Sequence, residues 1–149
     1  MKVLFRTDAS LQIGSGHIMR CLTLAESLRQ EGAEVMFACR SHPGNLVGLL
    51  LEKGFEVYQL PMENFEPQGQ CTAKPRVTVE DYSDWLGCSQ DEDAQATLKA
   101  IGEVQFDWLI VDHYGLDEYW ERQLRPTTQK LMVIDDLANR AHDCDLLLD

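Results

Sequence analysis

The stretch Ile13-Gly14-Ser15-Gly16-His17-Ile18-Met19-Arg20 sits between a short apolar run and an amphipathic segment, and its reading decides the fold. Upstream, Val3-Leu4-Phe5 is continuously apolar, as in a strand covered on both faces. Downstream, Ile18, Cys21, Leu22, Ala25 and Leu28 recur at helical spacing, with Arg20, Glu26, Arg29 and Gln30 on the other side. Gly32 then supplies a helix stop. Strand, glycine corner and helix make the first half of a β-α-β unit.

The same alternation continues along the chain. Residues 34–40 read as a second strand, 46–53 as a short helix closed by Gly54, and 55–60 as a third strand. Pro61 to Val79 carries Pro61, Pro67, Gly69 and Pro75 and reads as an irregular, mobile connection. Ser89-Gln90-Asp91-Glu92 is a capping box, and Ala94, Leu98 and Ile101 give the helix behind it an apolar face. A fourth strand over 108–111 ends in Asp112-His113-Tyr114-Gly115. A helix over 116–124 stops at Pro126, a fifth strand over 130–134 ends in Asp135-Asp136, and 144–148 is a sixth strand. The expected architecture is α/β: one domain over residues 1–149 with a doubly wound, Rossmann-like parallel sheet. Such sheets bind ligands beyond the carboxyl ends of their strands. Arg6/Asp8, His113/Tyr114 and Asp135/Asp136 all fall at expected carboxyl ends.

Composition narrows the partners. A net charge of -12 repels a phosphate backbone, so no nucleic acid partner is expected. No apolar run reaches the roughly 20 residues that span a bilayer, and the start is too short and too soon charged for a signal peptide. A cytoplasmic protein without a membrane partner is expected. The five cysteines are scattered, with no C-x-x-C pair, and are read as reduced thiols.

Gly14 and Gly16 permit positive φ and close approach of a ligand to the backbone. The third glycine of a dinucleotide fingerprint would fall at Met19, and no G-K-[ST] follows, so neither a dinucleotide site nor a P-loop is present. Two readings stay open: a phosphate or sugar nucleotide at the helix N-terminus, or a tight turn whose glycines serve packing. His17 opens the helix, whose positive end disfavours added positive charge and so suits a neutral, proton-accepting imidazole. It reads either as a general base, with Asp8 as a candidate to orient it, or as a residue that caps or packs the turn. His113 and Tyr114 either line the cleft or end the strand. Asp135 and Asp136 either bind sugar hydroxyls or hold a loop. No further oxygen ligands stand near that pair, so a metal-free and cofactor-free site is expected. His42 reads as a loop residue, His142 as solvent-facing, and Trp85, Trp108 and Trp120 as core or domain-contact residues.

Five ordered motifs carry a resemblance: Phe5-Arg6-Thr7-Asp8, Ile13 to Leu22, Asp112-His113-Tyr114-Gly115, Ile134 to Arg140 and Cys144 to Asp149. Together they resemble the UDP-2,4-diacetamido-2,4,6-trideoxy-β-L-altropyranose hydrolases of pseudaminic acid biosynthesis. The resemblance covers nearly the whole chain. It implies a GT-B architecture like that of glycosyltransferases, of which this chain is the N-terminal half. The missing C-terminal domain would supply most of the UDP-binding surface. It also implies that His17 is the general base that activates water at the anomeric carbon, with release of UDP and inversion. Tyr114 matches a sugar-contacting position, and Arg6, Asp8, Gly16 and Arg20 match the loops around it. The isolated chain is then expected to show little or no activity. The alternatives are a GT-B glycosyltransferase domain using an alcohol acceptor, and a non-catalytic module that binds a sugar nucleotide.

Overall fold

The computed structural model describes residues 1–62 and 82–149, apart from the Ser83 side chain. Most of the expected 61–79 connection, and Cys71, lie outside the described residues. Six strands run β1 (Lys2–Thr7), β2 (Glu34–Arg40), β3 (Glu56–Leu60), β4 (Phe106–Asp112), β5 (Thr128–Ile134) and β6 (Leu146–Leu148). Four helices join them: α1 (Gly16–Gln30), α2 (Val47–Glu52), α3 (Gln90–Ile101) and α4 (Glu118–Leu124). The strands form one sheet in the order β3-β2-β1-β4-β5-β6, with every pair parallel. The expected doubly wound α/β fold is therefore the observed one.

Strand periodicity divides the core in two. Val3 and Phe5 of β1 join Val35, Phe37, Ile110 and Met132 against Ile18, Leu22, Ala25 and Leu50 of α1 and α2. Leu4, one residue out of phase, joins Met36, Leu109, Leu131 and Val133 against Ala94, Ile101, Trp120 and Leu124 of α3 and α4. Both faces are covered, which explains why β1 reads as an apolar run rather than an alternation.

Helix ends follow local chemistry. At α3, Ser89 Oγ accepts from the Glu92 amide, and the Glu92 carboxylate accepts from the Ser89 amide, as the capping box requires. At α4, Asp117 accepts from the Tyr119 amide, so that helix begins at Glu118, two residues later than expected. Gly14 has φ of 78° and closes the loop before α1, where its amide donates to Ser10 O at 2.8 Å. Ser15 makes no side-chain bond into α1, so no side chain caps the amides of its first turn.

The sheet order reverses between β1 and β4. Helices α1 and α2 grow from one side of that point, and the α3–α4 half from the other. The loops after β1 and β4 therefore part there, and their residues face each other across a crevice.

Candidate active site

His17 enters from the N-terminus of α1, and Asp112 from the last residue of β4. The register Thr7↔Asp112 brings them together. His17 Nδ1 lies 2.5 Å from Asp112 Oδ1. Arg20, one helical turn after His17, donates to Asp112 Oδ2 through Nε at 2.5 Å and to Oδ1 through Nη2 at 2.6 Å. Cys21 Sγ donates to the same carboxylate at 3.5 Å. Burial pushes the Asp112 carboxyl up, but the hydrogen bonds from Arg20 and His17 outweigh it and hold it below the usual range. The group is thus a carboxylate, which places the His17 ring proton on Nδ1 and leaves Nε2 as an acceptor.

Asp8, the candidate for orienting His17, does not do so. It is fully buried beneath the crevice. Its oxygens accept from Arg6 Nη1 at 2.7 Å, the Arg40 amide at 2.7 Å, His113 Nε2 at 3.0 Å and His42 Nε2 at 3.2 Å. Arg6 also reaches Asp93 of α3 at 2.6 Å, and Asp93 accepts from Arg40 Nη2 at 2.7 Å and Trp120 Nε1 at 2.9 Å. Burial pushes the Asp8 carboxyl up, yet Arg6, His113 and His42 hold it well below the carboxylate range. Two guanidinium groups balance two carboxylates, which is the condition for keeping charge inside. Arg6, Asp8 and His113 therefore lie under the crevice and tie its strand ends together, where the sequence placed them among its ligand contacts. His113 donates through Nε2 and accepts the Gly115 amide at Nδ1 at 2.9 Å, so it is neutral with both nitrogens occupied. Burial accounts for its lowered pKa.

Tyr114, the next residue, turns the other way. Its ring meets His17 edge-on, with centroids 4.4 Å apart, and its hydroxyl donates to Asp136 Oδ1 at 2.5 Å. Burial and that carboxylate push the phenol up to about 12, so it stays a donor. Trp85 stacks on Tyr114 at 5.8 Å and lies edge-on to His17 at 6.4 Å, and Tyr82 closes the cluster. Trp85 is thus part of an aromatic wall beside the histidine, whereas Trp120 lies in the core on the α3–α4 face of the sheet and Trp108 packs against the core on the α1–α2 face. The Tyr82/Trp85 spacing on one 3-10 turn (Tyr82–Leu86) was the available sequence signal.

Asp135 and Asp136 part company. Asp136 faces the site with its side chain 49% exposed, 3.9 Å from Arg20 Nη1. Asp135 is buried and holds the loop behind, accepting from His142 Nε2 at 3.1 Å and Arg140 Nη1 at 3.3 Å. His142 is therefore no solvent-facing residue, since its other nitrogen meets Glu121 at 2.6 Å. His42, read as a loop residue, is likewise buried. Gly16 has open space where a side chain would project, so the corner in front of His17 is clear. The crevice then holds His17, Arg20, Tyr114 and Asp136, with Gly14 and Gly16 at its rim. Among the described residues, no three His, Cys, Asp or Glu side chains group to hold a metal ion, and no helix is long and apolar enough to cross a membrane. The described cysteines, Cys21, Cys39, Cys88 and Cys144, are free.

Fold and site together define a Rossmann-like α/β protein with a histidine–aspartate pair at the switch point of its sheet. Similarity to known proteins narrows this further. The chain is 32% identical over 149 residues to the UDP-2,4-diacetamido-2,4,6-trideoxy-beta-L-altropyranose hydrolase of Campylobacter jejuni, which covers 99% of this chain and 41% of that protein. It is 26% identical over 137 residues to an uncharacterized protein of Methanocaldococcus jannaschii, covering 91% of this chain and 22% of the other. The chain thus spans less than half the length of either curated relative. No protein-family model matches it.

Proposed function

We propose that the chain is the water-activating half of a hydrolase that cleaves a UDP-linked diacetamido-trideoxy sugar. The observation that carries the proposal is the Nδ1–Asp112 contact, which leaves His17 Nε2 to act as the base. Nε2 takes a proton from water as the water oxygen bonds to the anomeric carbon. The bond from that carbon to the UDP oxygen breaks, and UDP leaves with the electron pair. Attack opposite the leaving group inverts the configuration. Asp112 stabilises the imidazolium as it forms. Arg20 holds Asp112, while Tyr114 and Asp136 offer polar contacts to sugar hydroxyls.

The nucleotide belongs to a second domain in this reading, completing a GT-B architecture. The chain spans 41% of its hydrolase relative, and Arg20 at the crevice is already committed to Asp112. The pathway implied by the resemblance is pseudaminic acid biosynthesis. The isolated chain is expected to release little UDP.

The test is UDP release from the diacetamido sugar nucleotide by the chain joined to the portion of the hydrolase relative that it does not span. His17→Ala should lower the rate by about 10²–10⁴-fold with an unchanged circular dichroism spectrum. An unchanged rate removes His17 from the mechanism. Product formed on an added alcohol instead of free sugar would make the protein a glycosyltransferase.

A further inference from the structure

A second concavity lies beside the His17–Asp112 centre, with Trp85 common to both. It encloses about 790 Å³ between the loop after β1, the turn after β2 and the N-terminus of α3. Sites for whole small molecules span about 300–1,000 Å³, so the concavity is large enough for a sugar ring with its substituents. Leu11, Pro43, Met62 and Trp85 form apolar walls, and Ser10, Gln12, His42 and Ser89 are polar groups on its lining. Asp84 and Glu92 also line it, so the local charge opposes phosphate.

His42 defines what the concavity would accept. The residue is only 6% exposed. Its Nε2 faces the Asp8 carboxylate at 3.2 Å, which places the ring proton there and leaves Nδ1 as an acceptor. Nδ1 has no hydrogen-bond partner among the described residues, and it is not one of the fully enclosed orphan atoms either. The ring edge at Cε1 lies so near Gly87 that a β-carbon there would sit 3.1 Å away, and Gly87 also lines the concavity. Ser10 Oγ accepts the Ile13 amide at 2.9 Å and the Gln12 amide at 3.2 Å, and keeps its own proton to donate.

An acceptor nitrogen, a hydroxyl donor, apolar walls and no cation together describe a site for a secondary amide capped by a small alkyl group. We infer that this concavity receives an N-acyl substituent of the sugar. His42 Nδ1 accepts the amide N–H, Ser10 faces the carbonyl, and the methyl lies against Leu11, Met62 and Trp85. The inference rests on the sugar-nucleotide reading above and adds to it the element that selects the substrate.

The test uses methyl-detected NMR on the chain, with N-acetylglucosamine as probe and glucose as control. N-acetylglucosamine should shift the Met62 and Leu11 methyl signals, and glucose should not. Leu11 is 85% exposed, so Leu11→Asp should leave folding intact. It should weaken the N-acetyl response by about tenfold, the worth of part of a leucine contact. Equal shifts with both sugars, or no shift of the Met62 and Leu11 methyl signals with N-acetylglucosamine, overturn the inference. If UDP release depends on His17 while Met62 stays unmoved, the N-acyl assignment falls and the hydrolase reading stands. If Met62 responds and no UDP is released, the reverse holds.

Discussion

Replacing Asp112 with alanine tests the centre of the site most directly. The carboxylate is fully buried and receives three short bonds: from His17 Nδ1, Arg20 Nε and Arg20 Nη2. A bond to a charged group contributes about 1.5–3 kcal/mol. Arg20, however, has its side chain 37% exposed and turns to water once released, which discounts its share. The net loss is about 2 kcal/mol, or a fall in Tm of about 4–8 °C for a domain of this size. The larger effect is on proton transfer. Without Asp112 nothing holds the proton on Nδ1, so Nε2 is protonated in part of the population and the nascent imidazolium has no anion behind it. UDP release in the completed enzyme should fall by about 10²–10⁴-fold. Nitrogen-15 NMR gives a readout independent of turnover: His17 should carry its proton on Nδ1 in the parent chain and lose that preference in the variant. A parent chain already protonated on Nε2, or a variant with the parent's rate, refutes the assignment.

Other outcomes follow from the charge network. Asp8, Asp93 and Asp112 are pushed up by burial but held low by their cationic partners. Their folded pKa values lie below the unfolded value of about 3.9, so their stabilisation is complete above pH about 4 and is lost as pH falls through the folded values. Thermal melts should therefore weaken in two stages: first below pH about 6.5, where His113 stays neutral in the fold but is protonated in the unfolded chain, then further below pH about 4 as the carboxylates are protonated; a Tm that stays flat on acidification to pH about 3 would contradict this. Asp8→Asn should cost about 3–5 kcal/mol, because it leaves Arg6 buried with one carboxylate fewer; denaturant midpoints measure it. Trp120→Phe keeps the ring but removes the donor to Asp93 at 2.9 Å and should cost about 1–3 kcal/mol, again by denaturant midpoint. Tyr114→Phe should leave the unfolding free energy within about 1 kcal/mol of the parent, since the Asp136 carboxylate it frees is half exposed, while raising KM for the sugar nucleotide.

Fold class was legible because its signals are local. The apolar run at Val3-Leu4-Phe5, the helical spacing from Ile18 to Leu28 and the capping box at Ser89 each depend on residues a few positions apart. They survive into the structure with boundary shifts of a residue or two, such as the start of α4 at Glu118. His17, Arg20, Tyr114 and Asp136 were also legible, as polar residues at the strand ends and helix start where a doubly wound sheet opens. What was not legible is who touches whom. Asp8 is nine residues from His17 and points away from it, while Asp112, 95 residues distant, meets it across the β1–β4 register.

The buried network of Arg6, Asp8, Asp93 and Arg40 shows the same division. Residue order determined the elements, their sequence along the chain and the class of sheet, since periodicity and turn chemistry act over a few residues. Tertiary structure alone decided which carboxylate holds the histidine, which charges lie inside, and that Trp85 belongs to the site. Those outcomes depend on strand order, and strand order follows from how separate amphipathic elements cover one sheet together.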